Sequence, residues 1–285
     1  MKQILTLFAI ALLLSGCQSG PGTKETDGEK SKTHVMPLST GRTTPTPPEI
    51  VQRGNPSSPQ KALVIGNGRY AYSPLRNPVN DAKAMTQKLV DKGFRVTRAT
   101  NLDQRTMTMV VQAFKKELSD TQEGVALFYF SGHGAQVNGQ NYLIPVNNND
   151  IKENNLGQHA VSAQSVLAMM REVNTGMNLL ILDACRDDPY QGSQKSNTRG
   201  LARMTPPRGA LIAFAAAPGQ PALDGDGRNG LYTSHLLKAL DNAEHKRIED
   251  VFMEIRDPVY KQSNRRQEPW YQATMRTPFC FGGCQ

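Results

Sequence analysis

The stretch "VALFYFSGHG" at residues 125–134 runs through six apolar residues and then changes character on Ser131, Gly132, His133 and Gly134. Six such residues in succession predict a strand buried on both faces, and the break predicts that the strand ends there, with an imidazole just past its carboxyl end. A second stretch has the same build: "MNLLILDAC" (177–185) is apolar up to Asp183 apart from Asn178 and finishes on Cys185. "ALVIGN" (62–67), "FRVTRAT" (94–100) and "GALIAFAAA" (209–217) predict further strands, and "NYLIPV" (141–146) a short extended piece.

Between these strands the pattern turns helical. Residues 77–93 begin on Asn77 with Pro78 in the first turn and stop at Gly93. Asp103 is placed to cap a second helix in which Met107, Val110, Val111, Phe114 and Leu118 recur at helical spacing. Residues 162–173, 234–240 and 248–257 predict three more. Near-continuous apolar strands alternating with amphipathic helices imply an α/β fold: a mostly parallel central sheet with helices on both faces. Ligands of such sheets sit at the carboxyl ends of the strands. His133 and Cys185 are therefore expected at one edge.

Composition narrows the function. A chain of 285 residues with 38% hydrophobic side chains can bury one good core. Lys and Arg number 33 against 25 Asp and Glu, a net charge of +8 that favours acidic surfaces or lipid headgroups. There is no zinc-finger spacing, Walker loop or basic helix with interleaved aromatics, so nucleic acid is not an expected partner.

At the N-terminus, Lys2 precedes the apolar run "ILTLFAIALLL" (4–14), which is too short to span a bilayer, and "LSGC" (14–17) follows. This resembles a bacterial lipobox: residues 1–16 as signal peptide, Cys17 as lipid acceptor, and Gln18 pointing to the outer membrane, facing the periplasm. The alternative is an ordinary secretory signal with a chance cysteine. Residues 17–59, rich in Gly, Ser, Thr, Pro and Lys, are expected to be a flexible tether to the bilayer, with the folded domain over 60–285. In an envelope compartment Cys280 and Cys284 are close enough in sequence to form a disulfide across two glycines. Cys185 is then the odd thiol, either buried and inert or kept for its reactivity.

A thiol beside an imidazole is a nucleophile with its proton carrier. The glycines around His133 are expected to let the chain turn and a substrate backbone approach. The N–H groups of Gly134 and Cys185 are candidates to hold a developing oxyanion. Singly, a histidine after a strand is commonly a structural hydrogen-bonder and a cysteine on an apolar strand is core filler. Their pairing, 52 residues apart, points instead to catalysis.

Taken together, "ALVIGNGRY", "NPVNDAKAM", "FYFSGHG", "LILDACRDDP" and "AAAPGQPALDGDGRNGLYTSHLL" make residues 62–281 resemble the caspase-like cysteine peptidases, closest to the metacaspase-like (orthocaspase) branch. The resemblance implies a caspase-like three-layer sandwich, Cys185 as nucleophile, His133 as general base and acid, and Gly134 N–H in the oxyanion hole. It also implies protein or peptide substrates. Where caspases carry glutamine, this chain has Asp183, which implies a preference for Arg or Lys at P1, the residue before the cut bond. The alternative role for Asp183 is that of a structural acceptor for backbone N–H groups.

Two loops carry further expectations. Residues 186–209 are long and basic where family members are cut during activation, with Lys195, Arg199, Arg203 and Arg208 as candidate self-cleavage positions. Residues 218–230 contribute to the substrate pocket by resemblance, with Asp224 and Asp226 as further carboxylates. "DGDGRNG" is half of a calcium loop without a Glu at its twelfth position, so no metal site or cofactor is assigned, while calcium activation stays open. A Cys-based phosphatase needs arginine six residues after the cysteine, where Gln191 stands, and a zinc site needs more Cys or His nearby. The rival reading is a lipid-anchored interaction module that has lost catalysis. Oligomeric state is not legible.

Overall fold

The computed structural model describes residues 47–121, 123–185 and 200–284. In chain order the strands are β1 (Glu49–Arg53), β2 (Gln60–Gly66), β3 (Arg95–Thr100), β4 (Val125–Val137), β5 (Gln140–Leu143), β6 (Val161–Ser162), β7 (Met177–Cys185), β8 (Ala210–Phe214) and β9 (Trp270–Ala273). The helices are α1 (Pro78–Asp91), α2 (Gln104–Ser119), α3 (Leu156–His159), α4 (Ala163–Val173), α5 (Leu231–Asp241) and α6 (Ile248–Gln262).

The main sheet runs β1-β3-β2-β4-β7-β8-β9. Its inner strands β3, β2, β4, β7 and β8 are parallel, while β1 and β9 close the two edges antiparallel. Of these, β2, β4, β7 and β8 are buried on both faces, which is why their sequences are largely apolar without alternation. Alternation reappears in the packing. Leu127 and Tyr129 of β4 join Leu179 and Ile181 of β7 in a core with α1, α5 and α6, whereas Phe128, Phe130, Leu180 and Leu182 pack with α2 and α4. The result is the expected α/β caspase-like sandwich of three layers.

Helix signals read from sequence appear where expected. Asp103 accepts from the Thr106 N–H (2.7 Å) at the start of α2, and Gly93 takes φ +87° just after α1. Asn77 stands at the start of α1 but does not cap it; its Nδ2 donates instead to the Asp224 carbonyl at 2.5 Å. That exchange draws residues 224–225 against the first turn of α1.

Two expectations change. β1 lies inside the stretch 17–59 read as tether: Glu49–Arg53 pairs with Thr100–Val96, giving β3 an outer neighbour. Prolines and glycines flanking "EIVQR" hid a five-residue edge strand that is mostly exposed. β4 also does not end at Ser131. It continues to Val137, because after β2 stops at Gly66 the hairpin strand β5 takes over as its partner. His133 is thus inside a strand, at the point where one neighbour hands over to the next. The chain moves from β2 outward to β3 and then crosses back to β4, so this handover is at the switch point of the sheet.

Candidate active site

The register of β4 against β7 sets the geometry. Ser131 is opposite Asp183, Gly132 opposite Ala184, and His133 opposite Cys185, at the carboxyl end of β7. Two separated motifs, "SGHG" and "DAC", are thereby brought to adjacent positions on neighbouring parallel strands.

His133 is fully buried and held on several sides. Its backbone N–H donates to the Tyr70 hydroxyl (2.7 Å), which in turn donates to the Ile144 carbonyl (3.2 Å). Its carbonyl accepts from the Ile144 N–H (3.0 Å). The Tyr70 ring lies 4.3 Å from the imidazole, centroid to centroid. Nε2 is 2.6 Å from the Ser73 carbonyl. A carbonyl only accepts, so Nε2 carries the hydrogen, and in the neutral ring the lone pair resides on Nδ1.

The glycines beside the histidine do not make a turn. A Cβ on Gly132, at φ +155°, would lie 2.4 Å from the Tyr70 hydroxyl oxygen and 2.9 Å from Phe130 Cζ. A Cβ on Gly134 would meet Leu201 Cδ2 at 2.9 Å and Ala184 Cβ at 3.0 Å. Both sites are filled by the protein's own side chains, so these glycines serve packing rather than substrate approach. Gly134 stands opposite Leu143 of β5.

Beside this pair is an acidic recess lined by Asp81, Asp183, Asp224, Ser131, Gly132 and Gly230, among others, with about 10 Å³ of space, at most enough for one water. Asp183 is buried and accepts from the Thr233 hydroxyl (2.6 Å); that oxygen also lies 2.5 Å from the Tyr129 hydroxyl. Asp81 accepts from Ser131 Oγ (3.0 Å), Asn229 Nδ2 (2.9 Å) and the Gly230 N–H (2.9 Å). A Cβ on Gly230 would be 3.1 Å from Asp81 Oδ2 and 3.3 Å from Asp183 Oδ2, so the two carboxyl groups converge on that glycine. Burial pushes Asp81 up to about 6, with Asp224 adding to the rise and the three donated hydrogen bonds opposing it. Burial, then the neighbouring Asp81, pushes Asp183 up to about 8. Asp224 is also raised by burial, against the bonds it receives from Arg76 and Asn77. No ion pair engages any of the three among the described residues.

Sequence reading placed Asp183 and Asp224 here but missed Asp81, which looks like an ordinary first-turn acid of α1. The alternative of Asp183 as a backbone acceptor is only part of its role, since its principal partner is the Thr233 side chain. Asp226 is exposed and does not line the recess. Asp224 bonds the Arg76 N–H through Oδ2 (3.0 Å), so it also pins the 224–230 loop to α1. Cys280 and Cys284 are joined in a disulfide, Cα atoms 5.0 Å apart. Arg203 sits over the Trp270 ring at 5.4 Å, and Arg208 offers its carbonyl to Arg171. Cys17 and the 186–199 part of the basic loop, with Lys195 and Arg199, lie outside the described residues. Among the described residues no His, Cys, Asp and Glu cluster is arranged to hold a metal ion.

The domain is thus an α/β sandwich with a histidine and a cysteine in backbone register on adjacent parallel strands, beside a recess of acidic side chains. The sequence pattern of the caspase domain matches residues 59–280, and the chain belongs to that peptidase family. It is 32% identical to the mucosa-associated lymphoid tissue lymphoma translocation protein 1 homolog of Mus musculus over 137 residues, 47% of this chain and 16% of that protein. The Homo sapiens protein of that name is 32% identical over 126 residues, 44% of this chain and 15% of its own. The matched region thus spans about a sixth of either relative.

Proposed function

We propose that this chain is a cysteine endopeptidase that cleaves after Arg or Lys, with Cys185 as nucleophile and His133 as proton carrier. The observation that supports the reading is the register of His133 with Cys185 two residues beyond the Ser131–Asp183 pair; on this reading, reaction and recognition share the same two strands. The thiolate attacks the scissile carbonyl carbon, and the oxyanion is assigned to the N–H groups of Gly134 and Cys185. Imidazolium then protonates the leaving amine, the C–N bond breaks and a thioester remains. Imidazole next takes a proton from water, whose oxygen attacks the thioester, and the acid and the thiol are released. Because Nε2–H is engaged by the Ser73 carbonyl, the proton moves on and off Nδ1.

Specificity is assigned to Asp183, with Asp81 and Asp224 beside it. Burying these acids without a cation is unfavourable, and a guanidinium or ammonium supplies the missing charge. The recess is nearly closed, so entry of a basic side chain requires the 224–230 loop to move from Asn77, Asn80 and Asp81. From the sequence we further assign a signal over 1–16, lipidation at Cys17, an outer-membrane position facing the periplasm and self-cleavage in the 186–209 loop. The branch assignment to metacaspase-like enzymes rests on the five sequence motifs taken together.

The test is hydrolysis of matched peptides bearing Arg, Lys, Asp or Ala at P1, with and without calcium, beside Cys185→Ala. Cleavage of Arg and Lys peptides alone, lost in the variant while its thermal unfolding is unchanged, is expected. Turnover retained by Cys185→Ala would sink the nucleophile. Absence of any cleavage, including after the 186–209 loop has been cut, would favour a non-catalytic binding module.

A further inference from the structure

We propose that Asn148 is a positioning residue for His133: by clamping Tyr72 it holds the Ser73 carbonyl against Nε2, and so fixes which imidazole nitrogen handles the proton. The inference rests on His133 being the proton carrier.

Asn148 is fully buried on the segment that follows β5. Its Oδ1 accepts from the Tyr72 N–H (2.9 Å) and its Nδ2 donates to the Tyr72 carbonyl (2.9 Å). One side chain thus satisfies both backbone groups of a single residue, as a neighbouring strand would. One residue earlier, the Ala71 N–H donates to the Val146 carbonyl (2.9 Å). One residue later, Ser73 adopts φ +58°, a left-handed conformation that a residue with a Cβ takes only when its surroundings impose it. The Ser73 carbonyl that meets Nε2 belongs to this imposed conformation.

The far end of the clamp is rooted in the frame that carries the histidine. The Ile144 N–H bonds the His133 carbonyl, the Ile144 carbonyl accepts from Tyr70, and the Val146 N–H donates to the Leu102 carbonyl (2.9 Å). Acceptor and imidazole are therefore referred to one set of backbone bonds rather than to two independent loops. Outer partners of this kind commonly set a histidine's tautomer and orientation without touching the reacting atoms. In sequence Asn148 is one of three consecutive asparagines and reads as ordinary loop.

The test uses the full chain with ¹⁵N-labelled histidine, in the parent and in Asn148→Ala. The parent is expected to show His133 as the Nε2–H tautomer, and the variant a mixture of both. With an Arg peptide, kcat should fall about 10-fold, at the lower end of what loss of such outer partners costs, while KM changes less than about twofold. Asn148→Asp keeps the acceptor for the Tyr72 N–H but loses the donor to its carbonyl, and should fall between the two. It also serves as the test variant if the alanine protein fails to fold. An unchanged tautomer with unchanged kcat would overturn the proposal. So would a loss shared equally by kcat and KM with the parent tautomer intact. The tautomer is read without turnover. A parent that cleaves nothing but whose tautomer depends on Asn148 would therefore refute the peptidase reading and leave the clamp standing.

Discussion

Two neighbourhoods share the stretch where β4 runs beside the carboxyl end of β7, and they are built on opposite principles. His133 bonds neutral groups: a tyrosine hydroxyl, the Ser73 carbonyl and a backbone N–H, at 2.6–3.0 Å. Around Asp183 three carboxyl groups gather in a buried recess, and the hydrogen bonds they accept do not outweigh their burial. The first neighbourhood fixes an orientation. The second is satisfied only when a cation enters or protons are held. A reaction centre needs the former and a recognition pocket can use the latter, because the unmet charge becomes binding energy for the right side chain alone.

That contrast can be broken from either side. The largest effect is expected from Asp183→Asn, which should lower kcat/KM for an Arg peptide about 10- to 100-fold, the scale of one lost charge-assisted bond. Asp81→Asn should act in the same direction, and a loss confined to kcat in steady-state assays would contradict the assignment of both residues to binding. On the other side, Gly132→Ala drives a Cβ into the Tyr70 hydroxyl and costs His133 its N–H acceptor. We expect about 2 kcal/mol of lost stability in denaturant unfolding, with turnover reduced. An alanine variant of parent stability would show that this strand is less tightly filled than the geometry indicates.

The pH dependence sharpens the comparison further. Asp81 and Asp183 hold protons more tightly folded than unfolded, so the stability they contribute is complete below about pH 4 and is lost as pH rises through about 6 and 8. The parent's melting temperature should therefore decline between pH 5 and 8.5, and Asp183→Asn should decline less, by about 3 °C. Equal slopes would contradict buried protonated carboxyls. The smallest effect belongs to Asp226→Asn. Its side chain is exposed outside the recess, and cleavage should stay within about twofold of the parent.

The difference between the two neighbourhoods also explains what could be read from residues alone. Strands β2, β4, β7 and β8 were legible because burial on both faces leaves an unbroken apolar run, and α1 and α2 because Pro78, Asp103 and Gly93 punctuate them. His133, Cys185 and Asp183 were legible because each interrupts or follows such a run. Short antiparallel strands such as β1 and β9, of four or five residues, carry too few alternations to stand out. Asp81, Tyr70 and Asn148 were hidden for a different reason. Each has a bland local role in sequence as helix acid, aromatic or loop amide, and its chemistry appears only when residues 50 to 150 positions away close around it.

The central claim is that buried carboxyls beside the His133–Cys185 register recognise positive charge, and the most direct measurement compares peptides bearing Arg or citrulline at P1, which are nearly isosteric and differ in charge. The parent should prefer Arg by about 100-fold or more in kcat/KM, the preference should grow as pH rises from 5.5 to 8, and it should collapse in Asp183→Asn. Equal cleavage of the two peptides by the parent would contradict the account.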